Sequence, residues 1–239
     1  MRKKSAKIYA SWWHLAFTLF LIIIPFLFFL LSSRFAEIAT NKLFFDILVS
    51  FFRLFVAYSI AAFLGWLFAV LFYHGKRSAI ALPLFDVLQS FPTFAALPLA
   101  ALVWGASNFT IIFFLTITII WPIFFSTISS LKLIKHEWEE AGEMTRIKGL
   151  SYLRWFLIPV SVSGVITGSI IGLGEGWEAL VATEIIVNAK GGLGNFFQFF
   201  SQNPAITAFG ILGLLITIFS INKLLWLPLL EWSHKKMEE

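Results

Sequence analysis

The feature that most constrains this chain is a series of apolar stretches, each about twenty residues long or longer. A helix needs roughly 20 mainly apolar residues to cross the hydrocarbon core of a bilayer. Only 13% of the 239 residues are charged, about half the share found in soluble domains. The sequence therefore predicts an all-α integral membrane protein. We expect about six transmembrane helices, at approximately 12–31, 43–73, 80–103, 109–131, 160–181 and 205–230.

The distribution of Lys and Arg predicts the orientation of these spans. With an inner N-terminus, 13 Lys and Arg residues fall in inner segments, three in outer segments and two within spans. The positive-inside rule favours this N-in, C-in arrangement. The first apolar stretch is longer than the apolar core of a usual signal peptide, so we expect it to be retained as a span. The predicted location is the cell membrane, with several passes and both termini in the cytoplasm.

Composition divides the chain into three parts. Residues 1–42 comprise a basic tail, the first span and an outer link. Residues 43–230 form the membrane core, and residues 231–239 are a cytoplasmic tail. The first part of the second apolar stretch either extends a tilted helix or lies along the outer interface.

The core contains a charged segment, 132–159, between the fourth and fifth spans. Glutamates come first in this segment and basic residues follow, an order that suits a helix dipole. Gly149 then breaks the run, which predicts two short helices across the membrane face. From the residues alone, the segment is either a solvated loop or a contact surface for a soluble partner.

The third span contains three prolines with polar residues between them. A proline in a membrane helix frees backbone carbonyls, which neighbouring groups or water must then satisfy. The pattern predicts either a broken helix that lines a cavity or a kinked helix that only packs. The polar residues that would line such a cavity are Gln89, Ser90 and Thr93.

The fifth span is rich in small residues, which favour close helix packing. It also contains Glu175 and Glu178, one turn apart, and carboxylates inside a membrane are functional candidates because they are costly there. They could pair with Arg53, share a proton or face a water-filled vestibule. Arg53 itself could snorkel to the surface, pair with another helix or contribute charge to a route. With Trp177, these residues complete the candidate translocation pathway.

Several chemistries are disfavoured by what the sequence lacks. There is no Cys and the four His residues are scattered, so we expect neither a disulfide nor a metal site. No Gly-x-x-x-x-Gly-Lys-Ser/Thr loop for nucleotide phosphates is present. We therefore expect no enzyme activity and no cofactor. We also expect no nucleic-acid partner, because membrane topology explains the net charge of +5. A membrane-embedded assembly or scaffold subunit without transport activity of its own is the alternative that stays open.

The charged segment carries a resemblance to a known family. Glu140-Ala141-Gly142, followed by Pro159, resembles the EAA loop of ABC-importer permeases. More specifically, the chain resembles the permeases of the nitrate/sulfonate/taurine/bicarbonate class, over most of residues 48–200. Gly142 and Arg146 stand where that class has Ala and Gly. Further positions that match the class are Arg53, Gly65, Pro83, Pro92, Pro98, Gly105, Pro122, Thr127, Thr167, Gly168, Trp177, Glu184, Gly192, Leu193 and Gly194.

The resemblance implies a type I ABC-importer permease fold and a permease subunit that forms the solute pathway. It also implies three protein partners: a separate cytoplasmic ATP-binding-cassette ATPase, an extracytoplasmic solute-binding protein and a second permease copy, expected to form a homodimer. The loop would act as a coupling helix that docks on the ATPase. The residues implied in this coupling are Glu139, Glu140, Ala141, Gly142, Gly149 and Pro159.

Overall fold

A computed structural model describes residues 12–35, 40–133 and 149–238. Within these ranges the chain is helical and contains no strand, which confirms the all-α prediction there. The helices are α1 Trp12–Phe35, α2 Thr40–Phe72, α3 Gly75–Gln89, α4 Thr93–Trp104, α5 Asn108–Lys132, α6 Leu150–Ile186, α7 Leu193–Phe199, α8 Pro204–Ile221 and α9 Leu227–Glu238. A π-helical turn, Leu153–Leu157, lies inside α6, and a second one, Asn222–Trp226, joins α8 to α9.

Four of the described helical segments are long and apolar enough to cross a membrane. They are Phe44–Phe72, Asn108–Lys132, Leu150–Ile186 and Pro204–Ser233. Helices α3 and α4 together form a fifth candidate, bent by 75°. Helix α1 adds a further helix of 24 residues. The count of six spans and the N-in, C-in orientation stay predictions.

The third predicted span is broken rather than merely kinked. Helix α3 ends before Pro92, and α4 leaves the break at 75° to it. Proline has no N–H to donate and disfavours the helical conformation of the residue before it. The backbone N–H groups of Ser90 and Phe91 close the end of α3 with turn-type hydrogen bonds of 3.1 and 3.2 Å. The prolines allowed either a broken or a kinked helix, and the chain forms the broken helix.

Helices α5 and α6 pack so closely that their backbones touch. A Cβ atom added to Gly168 would lie 2.5 Å from the Cα of Ile123, and one added to Gly164 would lie 2.6 Å from the Cα of Thr127. Such small-residue contacts let membrane helices pack where the hydrophobic effect between them is absent. The small residues of the fifth span therefore serve packing. Four buried or tightly packed glycines recur every fourth residue along α6, at 164, 168, 172 and 176.

The centre of the bundle is formed by α2, α5 and α6. Apolar side chains from all three helices are buried there, among them Leu54, Leu115, Ile119 and Leu180. Helix α1 packs mainly against α8, on the outside of this centre. The three central helices therefore position the polar groups described below.

Two helices are longer than the sequence predicts. Helix α2 begins at Thr40 and continues without a break to Phe72, so its first part extends the helix instead of lying along the interface. Helix α6 begins at Leu150 and runs for 37 residues. The second of the two short helices predicted in the charged segment is therefore not separate, because it continues directly into the span.

Candidate functional site

Arg53 and Glu184 form a buried ion pair that joins α2 to α6. The Nη1 atom of Arg53 donates to Oε1 of Glu184 at 2.6 Å. Arg53 is 4% exposed and Glu184 is fully buried. Loss of one partner would leave an unpaired charge in the bundle, which is strongly destabilising. Among the alternatives for Arg53, the structure gives it an interhelical partner, and that partner is neither Glu175 nor Glu178.

The Glu184 carboxylate has two further donors. The hydroxyl of Ser50 lies 2.8 Å from Oε1 and 2.9 Å from Oε2, and the backbone N–H of Gly194 donates to Oε2 at 2.8 Å. Hydrogen bonds to an ionised group are stronger than those between neutral groups. The carboxylate therefore receives its hydrogen bonds from protein groups, in a buried position that bulk water does not reach.

Polar side chains on one face of α2 hold the chain between α6 and α7. Asp46 accepts a hydrogen bond from the N–H of Gly192 at 3.0 Å, and Ser50 accepts one from the N–H of Leu193 at 2.8 Å. Arg53 donates to the backbone carbonyl of the residue before Gly192 at 2.9 Å. Residues three and four apart on a helix lie on the same face. This face of α2 thus fixes the connecting segment, 187–192, against the end of the bundle.

Glycine is required at two positions in that segment. Gly191 and Gly192 have φ angles of +77° and +113°, values that other residues rarely adopt. A Cβ atom on Gly192 would also lie 2.5 Å from an oxygen of Glu184. Conformation and space both exclude a side chain at Gly192, so the backbone can reach the buried carboxylate.

Asn108 connects this ion pair to α5. The Nε atom of Arg53 donates to Oδ1 of Asn108 at 2.9 Å, and Asn108 is the first residue of α5. The guanidinium, carried by α2, therefore binds groups from α5, α6 and the segment after α6 at the same end of the bundle. A cavity of about 430 Å³ borders Arg53 and Asn108 at this end.

Glu175 and Glu178 lie on the exposed face of α6. Neither carboxylate forms a hydrogen bond or ion pair with any of the described residues. Glu175 lies about 11 residues before the end of the span at Ile186, or roughly 16 Å at ~1.5 Å per residue. Both carboxylates thus lie within the helix that is a candidate span. Carboxylates in a span need water or protein beside them, since lipid would solvate them poorly.

Trp177 faces the opposite way. It is 4% exposed, and its ring packs edge-on against Phe51 with centroids 4.9 Å apart. An indole in this position contributes packing between α2 and α6. The predicted route-lining role of Trp177 is therefore not supported by its place in the core.

The polar side chains of the broken span form hydrogen bonds with neighbouring residues of the same segment. Gln89 donates to the carboxylate of Asp86 at 2.7 Å, and the hydroxyl of Ser90 donates to the backbone carbonyl of Asp86 at 3.1 Å. Thr93 donates to the carbonyl of Phe91 at 3.1 Å. Gln89 and Ser90 are exposed, and Thr93 is half-buried. The break thus presents a small polar patch on the surface of the apolar bundle.

The predicted coupling residues fall into two groups. Gly149 directly precedes α6 with a φ angle of +62°, and Pro159 is exposed and follows the π-helical turn. Segment 134–148 connects the ends of α5 and α6, the closely packed pair. The remaining coupling residues lie outside the described residues: Glu139, Glu140, Ala141 and Gly142.

Sequence reasoning missed most of the cluster around Arg53. Glu184 stood out in the sequence only as a position that matches the class, and the structure shows it fully buried against Arg53. One available signal was the spacing of Asp46, Ser50 and Arg53, which places three polar residues on one face of an apolar helix. No local signal indicated Asn108, since its partner lies 55 positions away in the sequence.

The sequence matches the family of binding-protein-dependent transport system inner membrane components over residues 61–227. This range contains the last 12 residues of α2, all of α3 to α8 and the connecting segment 134–148. The match covers well over half of the chain and includes the whole of the closely packed pair α5 and α6.

Individual relatives belong to the class that the sequence resembles. The nitrate import permease protein NrtB of Synechocystis is 30% identical over 184 residues, which cover 73% of this chain and 66% of the relative. The bicarbonate transport system permease protein CmpB of Synechococcus elongatus is 28% identical over 185 residues, covering 74% and 66%. The putative aliphatic sulfonates transport permease protein SsuC of Bacillus subtilis is 24% identical over 205 residues, covering 82% and 73%.

The chain spans just under two thirds of the length of the first two relatives. The family match, the helical bundle and these similarities confirm the resemblance to ABC-importer permeases of the nitrate, bicarbonate and sulfonate class. The chain therefore belongs to the inner membrane components of binding-protein-dependent transport systems, the permeases with the type I importer fold.

Proposed function

We propose that this chain forms the solute pathway of an ATP-driven importer and couples that pathway to a separate cytoplasmic ATPase. The observation that carries the proposal is the family match over residues 61–227, which includes the whole α5–α6 pair and the segment between the two helices. An external solute-binding protein and a second copy of the chain, as a homodimer, complete the proposed transporter. Both termini and segment 134–148 would then lie in the cytoplasm.

The packing of α5 against α6 supports a mechanical role for the segment that joins them. Gly164 and Gly168 bring the two backbones into contact, so a displacement at one end of the pair moves both helices together. Close-packed elements transmit small shifts because they cannot deform continuously. An ATPase that grips segment 134–148 would in this way move α5 and α6 as one unit.

A substitution at Gly142 tests this coupling. Gly142→Trp adds a large side chain at the proposed contact and should lower co-purification of the ATPase subunit in mild detergent at least tenfold. The amount of permease in the membrane should stay unchanged. Gly142→Ala is the matched control, because Ala is the usual residue of the class at this position, and it should keep the ATPase bound. Normal co-purification and solute-stimulated ATP hydrolysis with Gly142→Trp would contradict the assignment.

The proposed route follows the exposed face of α6 and the break between α3 and α4. Glu175 and Glu178 are exposed on α6, and the break carries exposed Gln89 and Ser90. Water or a second copy of the chain beside these groups would remove the cost of placing them against lipid. In this arrangement the ion pair of Arg53 with Glu184 would stabilise the end of the route, and Arg53 would not line the route.

The carboxylates also bear on the cargo. NrtB and CmpB are named for nitrate and bicarbonate, both anions. Two carboxylates one turn apart would repel an anion in a narrow route of low dielectric constant. We therefore infer a cargo that is neutral or zwitterionic, and the specificity of uptake would also depend on the external binding protein.

Neutralising both carboxylates tests their place in the route. The double variant Glu175→Gln, Glu178→Gln should lower solute uptake by the assembled transporter about tenfold, because a hydrogen bond to a charged group contributes about 1.5–3 kcal/mol. Co-purification of the ATPase should not change. Glu231→Gln, at an exposed acid of α9, is the control and should retain normal uptake. If the double variant also transports normally, the two glutamates are structural residues only.

A further inference from the structure

The joint between α8 and α9 combines a π-helical turn with a proline. At the end of the turn Asn222–Trp226, the N–H of Leu227 bonds to the carbonyl of the first residue of the turn, five positions back. Pro228 follows directly. It has no N–H, so the carbonyl of Leu224 lacks the donor that a regular helix would give it. Helices bend where a proline or a π-helical turn interrupts the backbone hydrogen bonds, and this joint contains both.

The joint also carries two buried polar atoms without a hydrogen-bond partner. They are Nε1 of Trp226 and Oγ of Ser220, in residues that are 7% and 4% exposed. Among the described residues, one other buried side-chain atom is in the same position, Oγ1 of Thr127. A buried donor without an acceptor raises the free energy of the conformation that leaves it so. A movement that gave the indole N–H an acceptor would remove this cost.

The π-helical turn inside α6 provides a comparison within the same chain. Pro159 stands two residues after the turn Leu153–Leu157, as Pro228 does after the second turn. Leu157, the last residue of the first turn, is buried in the position that corresponds to Trp226. Its side chain is apolar, so it leaves no polar atom without a partner. Proline thus accompanies both turns, but the unpartnered donor distinguishes the joint between α8 and α9.

The helices on either side of the joint are attached to different parts of the bundle. Helix α8 packs mainly against α1, where the rings of Phe28 and Phe209 stack with centroids 5.6 Å apart. Helix α9 packs against α6. If α6 moves relative to α1, the two halves of this long helix are drawn in different directions, and the joint lies between them.

Tyr58 on α2 offers the acceptor that Trp226 lacks. The two rings are in edge contact, with centroids 5.8 Å apart. The hydroxyl of Ser169 donates to the carbonyl of Val165 at 2.6 Å, so Tyr58 is the donor in its 2.9 Å hydrogen bond with Ser169. The Tyr58 oxygen accepts no hydrogen bond from the described residues. Its lone pairs are therefore available to the indole N–H of the ring beside it.

We propose that the joint is a hinge with two positions. In the position seen here, the N–H of Trp226 is unpartnered. In the other, α9 bends about the joint relative to α8, and Trp226 donates to the oxygen of Tyr58. The hinge follows from the contacts of the joint, whereas its use in transport rests on the proposed function: α9 would follow α6 while α8 stays with α1.

Distance measurements between spin labels test the hinge. The chain has no Cys, so cysteines can be placed for labelling without removing others. Labels at Leu212 and Leu229, both exposed, lie on either side of the joint. Pulsed electron spin resonance on the permease in lipid nanodiscs, diluted with unlabelled chain, should give two distances. The control pair, Phe55 and Leu71, is exposed on the unbroken helix α2 and should give one.

Three variants assign the two distances. Tyr58→Phe removes the proposed acceptor and should lower the population of the second position at least fivefold. Ser169→Ala is the matched control, because it breaks the same interhelical hydrogen bond but keeps the Tyr58 oxygen, and it should retain both positions. Pro228→Ala restores a backbone N–H and removes the ring, so the joint should stiffen and give one distance.

Two results would overturn the hinge. One is a single distance across the joint in the unaltered chain, both in the permease alone and in the assembled transporter with ATP. The other is an unchanged pair of distances in Tyr58→Phe. Two distances whose proportions ignore ATP in the assembled transporter would support the hinge and contradict its use in coupling. That outcome is separate from the proposed function, which the binding of the ATPase by the Gly142 variants tests.

Discussion

Arg53→Gln is expected to lower the free energy of unfolding by about 3–5 kcal/mol, because it leaves the Glu184 carboxylate buried without its cation. Glu184 is fully buried and Arg53 is 4% exposed, so solvent cannot replace the missing partner. For a domain of this size the midpoint of thermal unfolding should fall by roughly 6–20 °C. The measurement is a thermal unfolding curve of the purified protein in detergent. Lys223→Gln removes an exposed cation and should leave the midpoint within a few degrees.

The reciprocal variant and the double variant make this test specific for the ion pair. Glu184→Gln alone should also be strongly destabilising, since it leaves Arg53 unpaired, although the amide oxygen can still accept the hydrogen bond from Gly194. With both residues changed to Gln, no charge stays unpaired, and the loss should be clearly smaller than the sum of the two single losses. Single effects that simply add in the double variant would show that the pair has no coupling energy.

Gly168→Leu is expected to disrupt the packing of α5 against α6. Even the first carbon of the new side chain would lie 2.5 Å from the Cα of Ile123, and a backbone atom cannot move aside as a flexible side chain can. The two helices must separate, which costs at least the 1–3 kcal/mol typical of overpacked cores. The thermal midpoint should fall by several degrees, and solute-stimulated ATP hydrolysis by the assembled transporter should fall with it.

Gly174→Leu is the matched control on the same helix. Gly174 is exposed, and a Cβ atom there would have nothing within 4 Å. This variant makes the same chemical change six positions along α6 and should keep the thermal midpoint of the unaltered chain. Equal loss of stability in the two variants would mean that helix propensity, and not the contact with α5, is what the substitution at Gly168 affects.

Much of the fold follows from local patterns in the sequence. The apolar runs indicated the helices, the small residues of the fifth span indicated close packing, and the prolines of the third span indicated a broken or kinked helix. These features depend on the residues of one segment, because hydropathy and proline geometry act over a few positions. The boundaries followed less closely: α6 begins at Leu150, whereas the sequence predicts a separate short helix after Gly149.

The family and the membrane class of this protein are thus contained in its sequence, because they depend on composition and on motifs with fixed spacing. Only the tertiary structure decided which groups meet. Arg53 and Glu184 are 131 positions apart, and no periodicity relates them. Their pairing, the burial of Trp177 and the exposure of Glu175 depend on how α2, α5 and α6 are rotated against one another. That rotation is set by the contact of the α6 glycines with the α5 backbone, a contact that exists only after the helices have packed.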